Sequence, residues 1–418
     1  MQSTSHSRLP VDEMIKATGS LASAISLIGL QQLSSFARSG DRHESGHTAP
    51  GKIPRLPCTN FLSPRNMVRG SMTAMWLSAE LARKISSGSN IRLAREFQNK
   101  LEAFCLFEYV DYALSLSDSG PLSLSQLVAR ADRLNPYDSV WATEGVGHCY
   151  GQACLLHQGC PQSLQASPES LGIPKSSLVP LNSGLGLALA EACFEPENHG
   201  QRVDCQRLMT FAQWCLDYCT HGCEAIGFES LGLVARSLHP HLVPEIDELL
   251  SRHHPELVEY FWHGVGRALY FSPSLLFPIR PDPWYGLEMC LKEVPHELGK
   301  RNAIAGFSWA LALVNIRHPE IVAEFLNRHA TQVPYPEAIV NGFCSALLIW
   351  RDAQPRQRHV DDFVDVSRGS SNLPLRRIWA KYVAEPWTQT LCEHRWDEGK
   401  MGLLFRYQSS IGLADPPA

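Results

Sequence analysis

The sequence predicts an all-α fold of stacked helix pairs, an α-solenoid or a closed α/α toroid with extra N-terminal helices. Three observations predict it. A small-x-small motif followed by an apolar run recurs six times along the chain. Stretches of helical period lie between the recurrences, and few stretches alternate with period two, so no sheet of any size is expected.

The N-terminal region, residues 1–57, opens with the apolar segment Met14 to Leu33, 'MIKATGSLASAISLIGLQQL'. Asp12 and Glu13 precede it and Gln31 and Gln32 interrupt its end, so it reads as an amphipathic or loosely docked helix. A basic leader or a transmembrane span would look different. 'RSGDRHESGHTAPGKIPRLP', from Arg38 to Pro57, joins charge, Gly and Pro without apolar period and reads as a linker. Residues 58–135 form a helical region: Met67, Met72, Met75, Trp76, Leu81 and Ile85 make a stripe that 'FQNKLEAFCLFEYVDYALSL' continues. After Pro121, 'SLSQLVARADRL' predicts one more short helix with Ser123 as its N-cap.

The repeat domain spans residues 136–352. Its steps read 'TEGVGHCYGQACL', 'NSGLGLALAEACF', 'FESLGLVARSL', 'WHGVGRALYF', 'IAGFSWALALV' and 'VNGFCSALLIW', starting at Gly145, Gly184, Ser230, Gly264, Gly306 and Gly342. The intervals run from 34 to 46 residues, the range of paired-helix repeats. 'RLMTFAQWCLDYC', 'LVPEIDELLSR' and 'HPEIVAEFLNRH' supply second helices between steps. Each step is expected to open its helix. Glycine costs about 1 kcal/mol against alanine in a helix, so its recurrence needs a reason. Close helix packing is one; a rim of helix N-termini that binds an anion is the other. Residues 353–418 begin with a polar stretch, continue with a short helix in 'PLRRIWAKYVAEPW', and end in a tail free to fold back on the repeats.

A net charge of -5, with 19% charged residues, argues against a nucleic-acid surface, which would show a basic face. The 13 cysteines fall mostly inside apolar periodic stretches, as buried thiols do, rather than at turns as in a disulfide scaffold. A cytoplasmic location is the expectation that follows.

The candidate site residues are the polar groups on or beside the glycine steps: Glu144, His148, Glu229, His263 and Arg267. If the steps share one rim, acids, imidazoles and a guanidinium would converge as general acid–base work requires. The alternative is that Glu144 and Glu229 complement helix dipoles from first turns, while Arg267 bridges two repeats at the surface. Cys215, Cys219 and Cys223 with His221 carry ligand-type atoms, but thiols two turns apart on one straight helix span about 12 Å, too far for one ion. His148, His157 and Cys160 form a looser set with the same outcome. No P-loop, G-x-S-x-G, H-E-x-x-H or aspartate-rich motif is present, so no cofactor and no metal are expected.

'EGVGH' at Glu144, 'SGLGLALA' at Ser183, 'HGVGRALYF' at His263 and 'AGFSWALA' at Ala305 resemble the blocks of a bacterial family of unknown function found beside enediyne polyketide synthase genes. The likeness covers about residues 140–350, and the block at His263 is its most specific part. It implies an accessory protein or enzyme of polyketide-type biosynthesis, acting on a hydrophobic or carrier-protein-bound substrate. The alternative is a non-catalytic helical-repeat scaffold for a protein partner.

Overall fold

The structure, a computed structural model, describes residues 89–108, 110, 114, 122–158, 164, 172–194, 203–272, 284–366, 372–393 and 398–409. The apolar segment 14–33, the linker at 38–57 and the stripe from Met67 to Ile85 lie outside the described residues. The protein is all-α: helices account for 82%, with no strand among the described residues.

Helix α1 (Ser89–Glu108) precedes a short α2 (Leu124–Ala131). The cap expected at Ser123 is present as a capping box. Ser123 Oγ accepts from the Gln126 amide at 3.3 Å, and the Gln126 side chain accepts from the Ser123 amide at 2.9 Å. The six glycine motifs lie on α3 (Pro136–Gln158), α4 (Leu178–Phe194), α6 (Glu224–Leu238), α8 (Val258–Phe271), α10 (Glu297–Val314) and α12 (Pro336–Ala353). Each packs on the next along the chain. Between them run α5 (Cys205–Tyr218), α7 (Val243–His253), α9 (Tyr285–Lys292) and α11 (Pro319–His329), which include the three second helices expected from the sequence.

The two sets bury differently. α5 buries Leu208, Phe211 and Cys215, and α7 buries Val243, Ile246, Asp247 and Leu250, one stripe each. α10 is buried on every side from Asn302 to Val314, and α12 from Ala338 to Trp350. The glycine helices are therefore the inner layer. Lys175–Phe194 has the length and composition of a membrane span, yet 83% of that apolar window is buried inside the protein.

The glycines do not open helices as expected; Gly145 and Gly264 lie mid-helix, and packing requires them. A Cβ on Gly184 would lie 1.8 Å from the Glu144 carbonyl oxygen. On Gly264 it would lie 2.0 Å from that of Glu229, on Gly306 2.0 Å from that of His263, and on Gly342 2.3 Å from that of Ala305. In each case the first small residue of a step rests on the backbone just before the small residue of the preceding step. Ser230 follows the same rule, its Oγ 3.5 Å from the Ser183 carbonyl oxygen. The second small residue faces the other way. Added Cβ atoms on Gly147, Gly232 and Gly266 would meet the carbonyl oxygens of Leu181, Phe261 and Ala303 at 2.1, 1.9 and 1.9 Å, and one on Gly186 would meet Gly227 Cα at 2.6 Å. The small-x-small motif is thus a two-sided contact, one residue for each neighbouring inner helix. No side chain beyond hydrogen fits at those separations. The anion-binding rim does not form from these glycines, because their amides lie inside helices.

The C-terminal region is more helical than expected. α13 (His359–Asp365) forms within the polar stretch, burying Val360, Phe363 and Val364. Further on, α14 (Leu373–Trp379), a π-helical turn at Ala380–Ala384 and α15 (Glu385–Glu393) run on from one another. A 3-10 segment, Glu398–Phe405, then folds back onto α6, α8 and α12.

Candidate functional site

Four of the five candidate residues meet in the interior. Arg267 on α8 extends Nη2 to Glu144 Oε1 on α3 at 2.5 Å, and Nη1 to Glu229 Oε2 on α6 at 3.3 Å. The same Nη1 donates to Ser183 Oγ on α4 at 3.3 Å, and Ser183 Oγ donates to Glu144 Oε1 at 2.7 Å. His263, one turn before Arg267, places Nδ1 3.3 Å from Glu229 Oε1. One guanidinium thus joins side chains from four successive inner helices.

The step register explains the convergence. Glu144, Ser183, Glu229 and His263 each immediately precede a step's small residue, so the backbone that neighbours rest on also turns these side chains inward. Ser183 belongs to the constellation although the candidate set omitted it; its place in its step, equivalent to that of Glu144, was the signal. Trp309 on α10 closes one side, with the guanidinium 5.1 Å from its ring centroid. Phe405 of the 3-10 segment lies 5.5 Å from Trp309 and 6.3 Å from His263, ring to ring.

Burial is nearly complete: Glu144 is 5% exposed, Glu229 0%, His263 1% and Arg267 4%. For Arg267, burial alone would favour the neutral form. The attraction of Glu144 and Glu229 and their hydrogen bonds outweigh it and raise the pKa further. Neither acid caps a helix, since both lie beyond the first turn, and Arg267 bridges repeats in the interior rather than at the surface.

His148 is not part of this group. Its Nε2 pairs with Glu191 Oε2 on α4 at 3.1 Å, and its ring lies 5.0 Å from Phe107. Gln152 donates to the same Glu191 oxygen at 2.9 Å.

The cysteine stripe is not one helix. α5 ends at Tyr218, Cys219 caps it, Gly222 turns the chain at φ 84°, and Cys223 caps α6. The turn keeps the thiols buried; a Cβ on Gly227 would meet both Cys215 Sγ and Cys219 Sγ. Burial pushes the Cys215 thiol well up and the Cys223 thiol up to about 12. Among the described residues no three His, Cys, Asp or Glu side chains are grouped as metal ligands. The side chains of His157 and Cys160 lie outside the described residues.

A second buried polar cluster carries no sequence signature. On α1, Lys100 Nζ lies 3.3 Å from Glu96 Oε1 and 3.9 Å from the Tyr270 ring centroid. Trp284 Nε1 donates to Glu96 Oε1 at 2.9 Å, and Asn315 donates to the Tyr270 hydroxyl at 2.9 Å. Asn99 donates to Asn315 Oδ1 at 2.8 Å. Burial lowers the Lys100 pKa, which Glu96 only partly offsets. These contacts dock α1 against α8 and α10.

Comparison with known proteins gives no similarity: no family model, no curated protein and no solved structure matches the chain.

Proposed function

We propose that this chain is a non-catalytic helical-repeat scaffold, serving a protein partner in the polyketide-type biosynthesis that the family resemblance implies. The observation that supports it is the state of the polar centre. Glu144, Glu229, His263 and Arg267 are spent on one another at 5% exposure or less. An open depression of about 410 Å³ at Ala384, Glu385, Thr388 and Gln389, and a void of about 10 Å³ beside Ser139, Thr143 and Ser177, involve none of them. A general acid–base pair must reach a proton on its substrate within hydrogen-bond distance. A buried ion network, by contrast, suits a device that fixes the register of helices.

A closed α/α toroid is the arrangement we favour. In support, Tyr137 at the start of α3 donates to the Val314 carbonyl at 2.9 Å, and its ring stacks on Trp350 of α12 at 5.7 Å. The first glycine helix thereby touches the last two.

Glu229→Gln tests the proposal, since it keeps the shape and removes the charge. In a deletion strain, the variant is expected to restore the phenotype in proportion to its folded fraction. A fully folded Glu229→Gln protein that fails to complement would establish an acid–base role and overturn the scaffold reading.

A further inference from the structure

The segment from Met401 to Gln408 lies in a groove across the ends of the inner helices, and the groove reads it as a peptide. Leu404 and Phe405 are 0% and 1% exposed. Phe405 is the anchor, inserted against His263 and Trp309. Arg406 pairs with Glu259 on α8, its guanidinium 5.5 Å from the Tyr260 ring centroid. Two asparagines then hold backbone rather than side chains. Asn302 Oδ1 on α10 accepts from the Tyr407 amide at 2.7 Å, and Asn341 Nδ2 on α12 donates to the Gln408 carbonyl at 2.8 Å. At the other end the Gly402 amide donates to the Gly222 carbonyl at 3.2 Å. The two asparagine contacts fall just past the end of the 3-10 turn and hold main chain whatever its side chains. An aromatic pocket beside a carboxylate then selects the sequence.

We propose that this groove is the scaffold's partner-binding site, held in cis by the chain's own strap. Its partner is a peptide that takes the strap's own form, a 3-10 turn ending at the aromatic anchor and leaving the helix after it, with an aliphatic–aromatic–arginine–aromatic core as in Leu404-Phe405-Arg406-Tyr407. The proposal rests on the scaffold reading and deepens it. The strap identifies the occupant's chemistry directly: Glu259 takes the basic residue, the face of His263 and Trp309 takes the ring, and Asn302 and Asn341 take main chain. A partner therefore binds by displacing the strap, and its apparent affinity falls by the fraction of molecules whose groove is open.

The probe is a fluorescein-labelled peptide of residues 398–409, EGKMGLLFRYQS. It is titrated by fluorescence anisotropy into the full chain and into full-chain Arg406→Glu, which sets a carboxylate against Glu259 and loosens the strap. The variant is expected to bind the peptide at least about tenfold more tightly than the unaltered chain, in proportion to its larger open fraction. Alanine in place of Phe405 in the peptide, or Asn341→Ala in the variant, should abolish that gain. Gly402→Ala provides an independent loosening, because its Cβ would lie 2.7 Å from Ala225 Cβ. The proposal is overturned if both variants keep native helicity and melting behaviour yet bind no peptide, or bind the alanine peptide equally well. Exchange of straps between two copies, seen as a dimer by light scattering, would overturn it too. Loss of peptide binding while Glu229→Gln still complements would sink the groove and leave the scaffold; failure of Glu229→Gln sinks the scaffold whatever the peptide does.

Discussion

Gly266→Ala isolates what the glycine steps do. The added Cβ would lie 1.9 Å from the Ala303 carbonyl oxygen, 2.6 Å from its carbon and 2.8 Å from its Cα, all backbone atoms of α10. A carbon against a carbonyl oxygen needs about 3.3 Å, so α8 and α10 must separate by roughly 1 Å or more. That displacement is not local. The reciprocal contact of Gly306 with the His263 carbonyl lies on the same interface, and a gap of that size forfeits about a quarter to a half of each dispersion well. Overpacking of this kind costs about 3 kcal/mol, at the upper end because no flexible side chain can give way. Alanine recovers about 1 kcal/mol of helix propensity. The net expectation is a loss of about 2 kcal/mol, or roughly 2–3 °C in melting temperature for a chain of this size. Gly172→Ala is the control. Its nearest neighbour would be Ser125 Cβ at 3.7 Å, an ordinary contact, so its stability should stay within about 0.5 kcal/mol. Circular dichroism melts of the two variants decide the matter. A Gly266→Ala protein melting at or above the unaltered chain would refute the two-sided contact.

Arg267→Ala leaves Glu144 and Glu229 buried without their counter-charge, and should cost about 3–5 kcal/mol by urea unfolding. Combining Arg267→Met with Glu144→Gln and Glu229→Gln should recover much of that loss; a triple variant no more stable than Arg267→Ala would show that the cost is not electrostatic. Lys100 sets a pH dependence. Its folded pKa is lowered, chiefly by burial, so between that value and the ordinary 10.5 the unfolded chain binds more protons than the native one. Stability should therefore rise with pH in that window, by up to about 1.4 kcal/mol per unit. Tyr137 and Tyr270 act in the opposite direction, because their phenols are raised above the ordinary 10.0, so the measurement belongs below that pH. Urea midpoints of the unaltered chain and Lys100→Met, compared across that window, should diverge; parallel curves would show that Lys100 stays charged in the native state.

What the sequence made legible follows from its periodicity. Six similar steps at irregular intervals sufficed for the helices, and Ser123 with Gln126 for a cap, because both signals are local. The site was half legible for the same reason. Glu144, Glu229 and His263 all stand just before a step's small residue, and Arg267 lies one turn after His263, so a shared register pointed them at one another. Ser183 obeys the same rule, but a lone hydroxyl carries no acid–base signal to mark it. His148, one turn beyond Glu144, stands apart from the other four, and its pairing with Glu191 on α4 has no signal in the step pattern. Lys100, Glu96 and Tyr270 could not be found this way, since their meeting depends on how α1 docks against helices far along the chain. The cysteines misled in geometry. Cys215, Cys219 and Cys223 keep a helical spacing across a turn, where Gly222 at φ 84° ends the helix that the spacing implied.

The same regularity that reveals the repeats creates a problem the buried charges resolve. The backbone contacts of Gly184 with Glu144, Gly264 with Glu229 and Gly306 with His263 are chemically interchangeable, so they hold inner helices close without saying which helix belongs beside which. Apolar runs such as 'GLGLALA' and 'GFSWALALV' add little discrimination, since similar small and aliphatic side chains fit similar grooves. Arg267 discriminates. Its Nη1 and Nη2 groups find their partners only when α3, α4 and α6 arrive in one register, with Glu144, Ser183 and Glu229 around them. Any other pairing leaves at least one carboxylate buried without its counter-charge, at a cost of about 3–5 kcal/mol. Replacing the centre by uncharged residues should thus leave a stable protein while weakening its choice of register. The Arg267→Met, Glu144→Gln, Glu229→Gln protein should melt high yet lose dispersion in its amide NMR spectrum. A spectrum as sharp as that of the unaltered chain would show that the glycine contacts set the register by themselves.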